Sequence, residues 1–167
     1  MTADHRTEPS TTAGDRASLT GFLDYQRATL EMKCRGLTAE QLKRRAVPTS
    51  ELTLLGLVRH LAGVERGWFR MVLSGEERRP LWPGPDGEST DFRVDGADVD
   101  EAFARWREAC ELSRATVAAA GSLDDTAEFR GEVFSYRYVL THMIEEYARH
   151  NGHADLLREA IDGEVGE

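Results

Sequence analysis

Lysine is nearly missing from this chain. Lys33 and Lys43 are the only two, so 19 of the 21 basic residues are arginine. Positive charge as a whole is short: 30 acids give a formal net charge of -9. That sign argues against nucleic acid and anionic membranes as partners. Long apolar runs are absent. No stretch approaches the ~18 residues of a membrane helix, and the N-terminus has no apolar leader segment. Cysteine is scarce, with Cys34 and Cys110 far apart and no Cys-x-x-Cys. Buried thiols in a reducing, cytoplasmic setting follow from that usage. Also missing are a His-Glu-x-x-His, a Gly-x-Ser-x-Gly and a phosphate-binding loop. What is present is ordinary for one globular domain: 167 residues, 40% apolar and 31% charged.

Four long amphipathic segments dominate. Residues 1–17 are polar and aperiodic, and read as a disordered tail. A first helix is predicted from Leu19 to Arg35, with Phe22, Leu23, Leu30 and Cys34 inward and Gly36 at its end. Thr38 and Gln41 form a capping box for a short helix that Pro48 closes. The second long helix follows Thr53 and runs to Ser74, with Leu54, Val58, Leu61, Trp68 and Val72 as its stripe. Residues 76–97 carry three prolines and three glycines and read as a long loop. Asp98 starts the third helix, whose inward residues include Phe103, Trp106 and Cys110, and Gly121 ends it. Residues 122–134 read as turns. Ser135 caps a fourth helix that stops at Gly163. The fold class is therefore all-α, a four-helix bundle over residues 18–163 with a short tail at 164–167.

The last helix carries the chemistry. Glu146 and His150 lie one turn apart, about 40° from each other around the axis. Both fall on the apolar stripe of Leu140, Met143, Tyr147, Ala154, Leu157 and Ile161. A Glu/His pair at this spacing is most often a surface ion pair or a satisfied core contact. Its place on the stripe favours a metal, because a buried carboxylate and imidazole are costly without a partner. A third ligand must come from another helix, and His60 is the best candidate. Alone, His60 would read as a satisfied core histidine. His142 lies about 12 Å along the axis from His150, too far to share an ion. It fits an orienting, substrate-contacting or acid–base role. His153 belongs to the surface or behind a ligand, and His5 to the tail. Glu65 is a buried acid expected to pair with Arg149 or Arg158. Gly63 and Gly152, inside helices, are expected to mark close approaches near the site. A His/Glu/His set suits borderline metals, zinc or nickel.

The segments His60-Leu-Ala-Gly-Val-Glu-Arg-Gly-Trp-Phe69 and His142 to Gly163, with ARHNGHADLLREAIDG at the centre of the latter, resemble the DinB-like superfamily. The similarity is to an actinobacterial branch of small members, and the arginine bias fits a GC-rich, mycothiol-producing host. The resemblance implies an up-down-down-up bundle and a divalent metal held by His60, Glu146 and His150. Many members have histidine in place of Glu146. The His/Glu/His version is similar to the mycothiol-dependent maleylpyruvate isomerases. Those are longer, with a C-terminal domain that adds substrate contacts, so isomerisation itself is not expected here.

Three functions follow as expectations. The first is a metal-dependent S-transferase using mycothiol and a small electrophile lodged under the 76–97 loop, with His142 assisting. The second is a metal-dependent hydrolase. The third is a non-catalytic metal-binding or small-molecule-binding bundle of a stress response. A homodimer would follow from an exposed apolar helix face.

Overall fold

The computed structural model describes residues 6–77 and 79–165, so His5 lies outside the described residues. Helix α1 spans Asp15–Cys34, α2 Ala39–Lys43, α3 Leu54–Glu65, α4 Val99–Ala119 and α5 Tyr136–Asp162. A π-helical segment, Arg66–Leu73, prolongs α3. Side-chain caps set the starts. Thr38 accepts from the Gln41 backbone while Gln41 accepts from Thr38, the reciprocal box expected there. Thr53, Asp98 and Ser135 each accept from a backbone N–H three residues on. These caps satisfy amides that the helix itself leaves unpaired. Gly163 ends α5 in the left-handed region, at φ 79°.

Helix α1 begins four residues before the predicted Leu19. Tertiary contact, not apolar spacing, holds its first turn. Arg16 donates to the Val117 and Ala120 carbonyls at the end of α4, at 2.6 and 3.0 Å. Upstream, Arg6 donates to the Thr29 hydroxyl at 3.1 Å and covers the Tyr25 ring. The described part of the expected tail therefore lies along α1.

Helix α1 packs on α5, and α3 packs on α4 and α5. Leu30, Leu54, Leu57, Leu61, Met143 and Tyr147 are fully buried between them. Each such apolar side chain contributes roughly 1.5–3 kcal/mol by leaving water. This is the expected DinB-type helical bundle, with the long connection between its second and third long helices. No helix among the described residues is long and apolar enough to cross a membrane.

One charged pair sits inside this core. Arg27 of α1 grips both carboxylate oxygens of Glu65 at 2.7 Å. The partner is thus neither Arg149 nor Arg158. Arg149 is at the surface with Glu145 and Glu146, and Arg158 ties the Lys33 and Arg35 carbonyls. Tyr147 donates to Glu65 at 2.8 Å and accepts from the Trp106 indole at 2.9 Å. Burial lowers the affinity of Arg27 for its proton, but the facing Glu65 outweighs this and the net shift is upward.

Residues 122–134 are not merely turns. Strands β1 (Thr126–Phe129) and β2 (Glu132–Ser135) pair antiparallel, Phe129 opposite Glu132. The two-residue tip is Arg130-Gly131, with φ 54° and 84°. Four-residue strands are too short to show alternation, and Arg-Gly is not the usual Asn-Gly signature of such a tip. The hairpin packs against the π-helical segment.

Gly152 departs from expectation as well. It is exposed in mid-helix, and a Cβ there would meet nothing within 4 Å. Gly63 does mark a close approach: its Cβ would stand 3.4 Å from Asp91 Oδ2.

Candidate metal centre

Three side chains converge where α3 crosses α5. Glu146 and His150 come from successive turns of α5, and His60 comes from α3. One carboxylate oxygen, Glu146 Oε1, faces both imidazoles, at 3.9 Å from His60 Nε2 and 3.8 Å from His150 Nε2. Ligand atoms of all three residues lie within 4.8 Å of one another. These separations are too long for hydrogen bonds, so the atoms do not satisfy each other. They are near the roughly 3.4 Å edge of a tetrahedron with ~2.1 Å metal–ligand bonds. The donor set and its spacing fit a divalent ion after a small inward movement.

The surroundings prepare the nitrogens. Burial, then the facing His60 ring, pushes His150 down from 6.5 to about 4, against the pull of Glu146. His150 is therefore a neutral imidazole at pH 7, with a lone pair to donate. Each histidine also has company on its far nitrogen. His150 Nδ1 is 3.3 Å from His153 Nδ1. His60 Nδ1 is 3.7 Å from Asp91 Oδ2. Groups in these places fix tautomer and ring orientation in metal sites.

Asp91 comes from the long loop, and the sequence reading missed it. Gly63 was its available signal, because the missing Cβ makes room for that carboxylate. The adjacent Phe92 ring lies on His60, with centroids 5.0 Å apart. The loop is pinned through Trp82, whose ring covers the Arg59 guanidinium and whose carbonyl accepts from Thr90. Arg59 in turn donates to the Arg93 carbonyl. A cavity of about 350 Å³ opens between loop, α3 and hairpin, with His60 and Asp91 in its lining.

His142 stands apart from this group. Its ring lies 4.5 Å from Trp68 and parallel to Tyr138 at 6.1 Å, with Glu145 Oε2 at 3.6 Å from Nδ1. The cysteines are free and buried, as expected. Burial pushes the Cys34 thiol up to about 12, and burial with the nearby Glu65 charge does the same to Cys110.

A profile of the mycothiol-S-transferases matches residues 18–163. The chain belongs to the mycothiol-S-transferase family. Membership implies mycothiol S-transfer, the joining of mycothiol through its sulfur to an electrophile, as the activity. No curated protein matches the chain. In this mycothiol-S-transferase, the one group of three or more side chains among the described residues that could hold a metal ion is His60, Glu146 and His150.

Proposed function

We propose that this mycothiol-S-transferase holds one divalent ion, zinc or nickel, through His60, Glu146 and His150, and joins mycothiol through its sulfur to a small electrophile under the 76–97 loop. The convergence of three ligand atoms beside the loop-covered cavity carries this reading. A bound divalent ion supplies one thing, a thiolate at neutral pH, because coordination lowers the thiol pKa. The chain's own residues do the rest. Glu146 cancels one of the ion's two charges while the neutral imidazoles cancel none, which leaves attraction for an anionic sulfur. Asp91 and His153 hold the two imidazoles in register. Phe92 shields His60 from water on one side. His142, wedged between Trp68 and Tyr138, acts as an orienting residue for the α5–π-segment contact. Cys34 and Cys110 stay protonated and buried, so the nucleophile is the added thiol.

The test is turnover of 1-chloro-2,4-dinitrobenzene by metal-loaded protein. The expected result is a rate that requires mycothiol, disappears on chelation and is lost in His150→Ala. About one equivalent of zinc or nickel should accompany protein never exposed to chelator. Less than a tenth of an equivalent, or a rate indifferent to mycothiol, overturns the reading.

A further inference from the structure

Three arginines line the cavity beside His60: Arg66 from the π-helical segment, Arg79 from the loop and Arg130 from the hairpin tip. Elsewhere in this acidic chain, many guanidinium groups are matched with carboxylates, and Arg16 and Arg59 are spent on backbone carbonyls. Arg27, Arg70, Arg107, Arg114 and Arg137 are each ion-paired. Arg66 and Arg130 have no carboxylate partner among the described residues, and Arg79 shares an exposed one with Glu77 at 2.8 Å. The acid in the cavity lining is Asp91, which takes the Ser89 hydroxyl and faces His60. The cavity wall is thus positive on a protein whose net charge is -9.

The backbone adds a second observation. Arg130 sits at φ 54°, the left-handed region that disfavours any residue with a branched-off Cβ. Glycine or asparagine is the ordinary occupant of this hairpin position. Strain of this kind gathers where a side chain has work at a binding site. Here it places an unpaired guanidinium on the rim of the one cavity that reaches His60 among those described. Mycothiol itself, an acylated cysteine amide of an aminosugar–inositol, has no carboxylate or phosphate for these arginines to meet.

We infer that the electrophile is an anion, most simply a carboxylate, seated on Arg66, Arg79 and Arg130 with its reactive carbon toward His60. Arginine's planar fork suits a carboxylate through paired hydrogen bonds. An anionic group also profits from a positive, partly enclosed wall, where fields are focused. This inference rests on the transferase reading above.

The probes are 4-chloro-3-nitrobenzoate and its neutral twin, 4-chloro-3-nitrobenzamide. In either, the thiolate sulfur forms a C–S bond at the chlorine-bearing carbon. Chloride leaves with the C–Cl electron pair, and the thiol proton passes to buffer. Binding is first measured by calorimetry without thiol, on protein as purified and after chelation. The benzoate should bind at least tenfold tighter than the amide in both forms. Arg66→Gln and Arg130→Asn should each remove most of that preference and leave amide binding unchanged. Asparagine keeps the left-handed tip unstrained, so folding is retained. Equal binding of the two probes overturns the inference. So does a benzoate preference that vanishes on chelation and ignores the arginines, which would mean an anion held by the ion alone. Turnover with mycothiol is then compared, each rate divided by its uncatalysed rate. The benzoate should lead through KM, and the arginine variants should raise that KM with kcat little changed. Arginine-dependent benzoate binding without turnover of either probe would retire the transferase reading and keep the anion site.

Discussion

Glu146→Gln should weaken metal binding at least about tenfold in a chelator competition, while Glu145→Gln should leave it within twofold. The two acids are sequence neighbours but differ by about 100° around α5. Only Glu146 faces the imidazoles; Glu145 is exposed and pairs with Arg149. Equal losses would mean that the ion sits elsewhere. The cysteines make a second residue-scale prediction. Each thiol titrates near 9 in the unfolded chain and is pushed up to about 12 in the fold. Between those values the unfolded chain loses protons that the folded chain keeps. Stability is then whole below about pH 9 and falls as pH rises toward 12. Urea midpoints at pH 8 and pH 10 should show the fall, and Cys34→Ser with Cys110→Ser should shrink it. Rapid modification of the native protein by a thiol reagent at pH 8 would contradict the burial of these groups.

At the scale of elements, α5 contains an unneeded glycine. Gly152 is exposed with open space where a Cβ would be, so Gly152→Ala should stabilise by about 0.5–1 kcal/mol. The melting temperature should rise by roughly 2 °C, read by circular dichroism. A loss of stability would show that some contact needs the bare backbone. The same helix shows what a sequence discloses. Its start at Ser135, its stop at Gly163 and the shared face of Glu146 and His150 follow from 3.6-residue periodicity and capping chemistry, which are local. The His60 assignment needed one further step, the demand of a buried Glu/His pair for a partner. Asp91, and the place of Phe92 against His60, were not legible, because a proline-rich loop has no period to place its side chains. The hairpin was not legible either, since its strands are only four residues long. The predicted helix ending at Ser74 hid a change to π geometry, which apolar spacing does not report. The partner of Glu65 was missed because Arg27 is 38 residues away and reads as one more surface arginine.

For the molecule as a whole, the Arg27–Glu65 pair joins α1 to α3 through the core. Glu65→Leu alone should cost about 3–5 kcal/mol, because Arg27 would stay buried without a counter-charge. Adding Arg27→Met should recover most of that loss in urea unfolding. Failure of the double variant to recover would mean that Tyr147 and Trp106 depend on the charges for their packing. The division of labour between helices and connections has a further consequence. His60, Glu146 and His150 ride on helices, whereas Arg79, Asp91 and Phe92 ride on a loop and Arg130 on a hairpin tip. Backbone insertions are tolerated in such connections and not in the bundle. On the proposed reading, ion capture and substrate choice can therefore be inherited separately. Grafting residues 76–97 and 126–135 from a relative should redirect selectivity between anionic and neutral electrophiles while metal affinity stays within about twofold. Descendants of one bundle could diversify their chemistry by exchanging two surface segments, with the ion's cradle carried forward untouched.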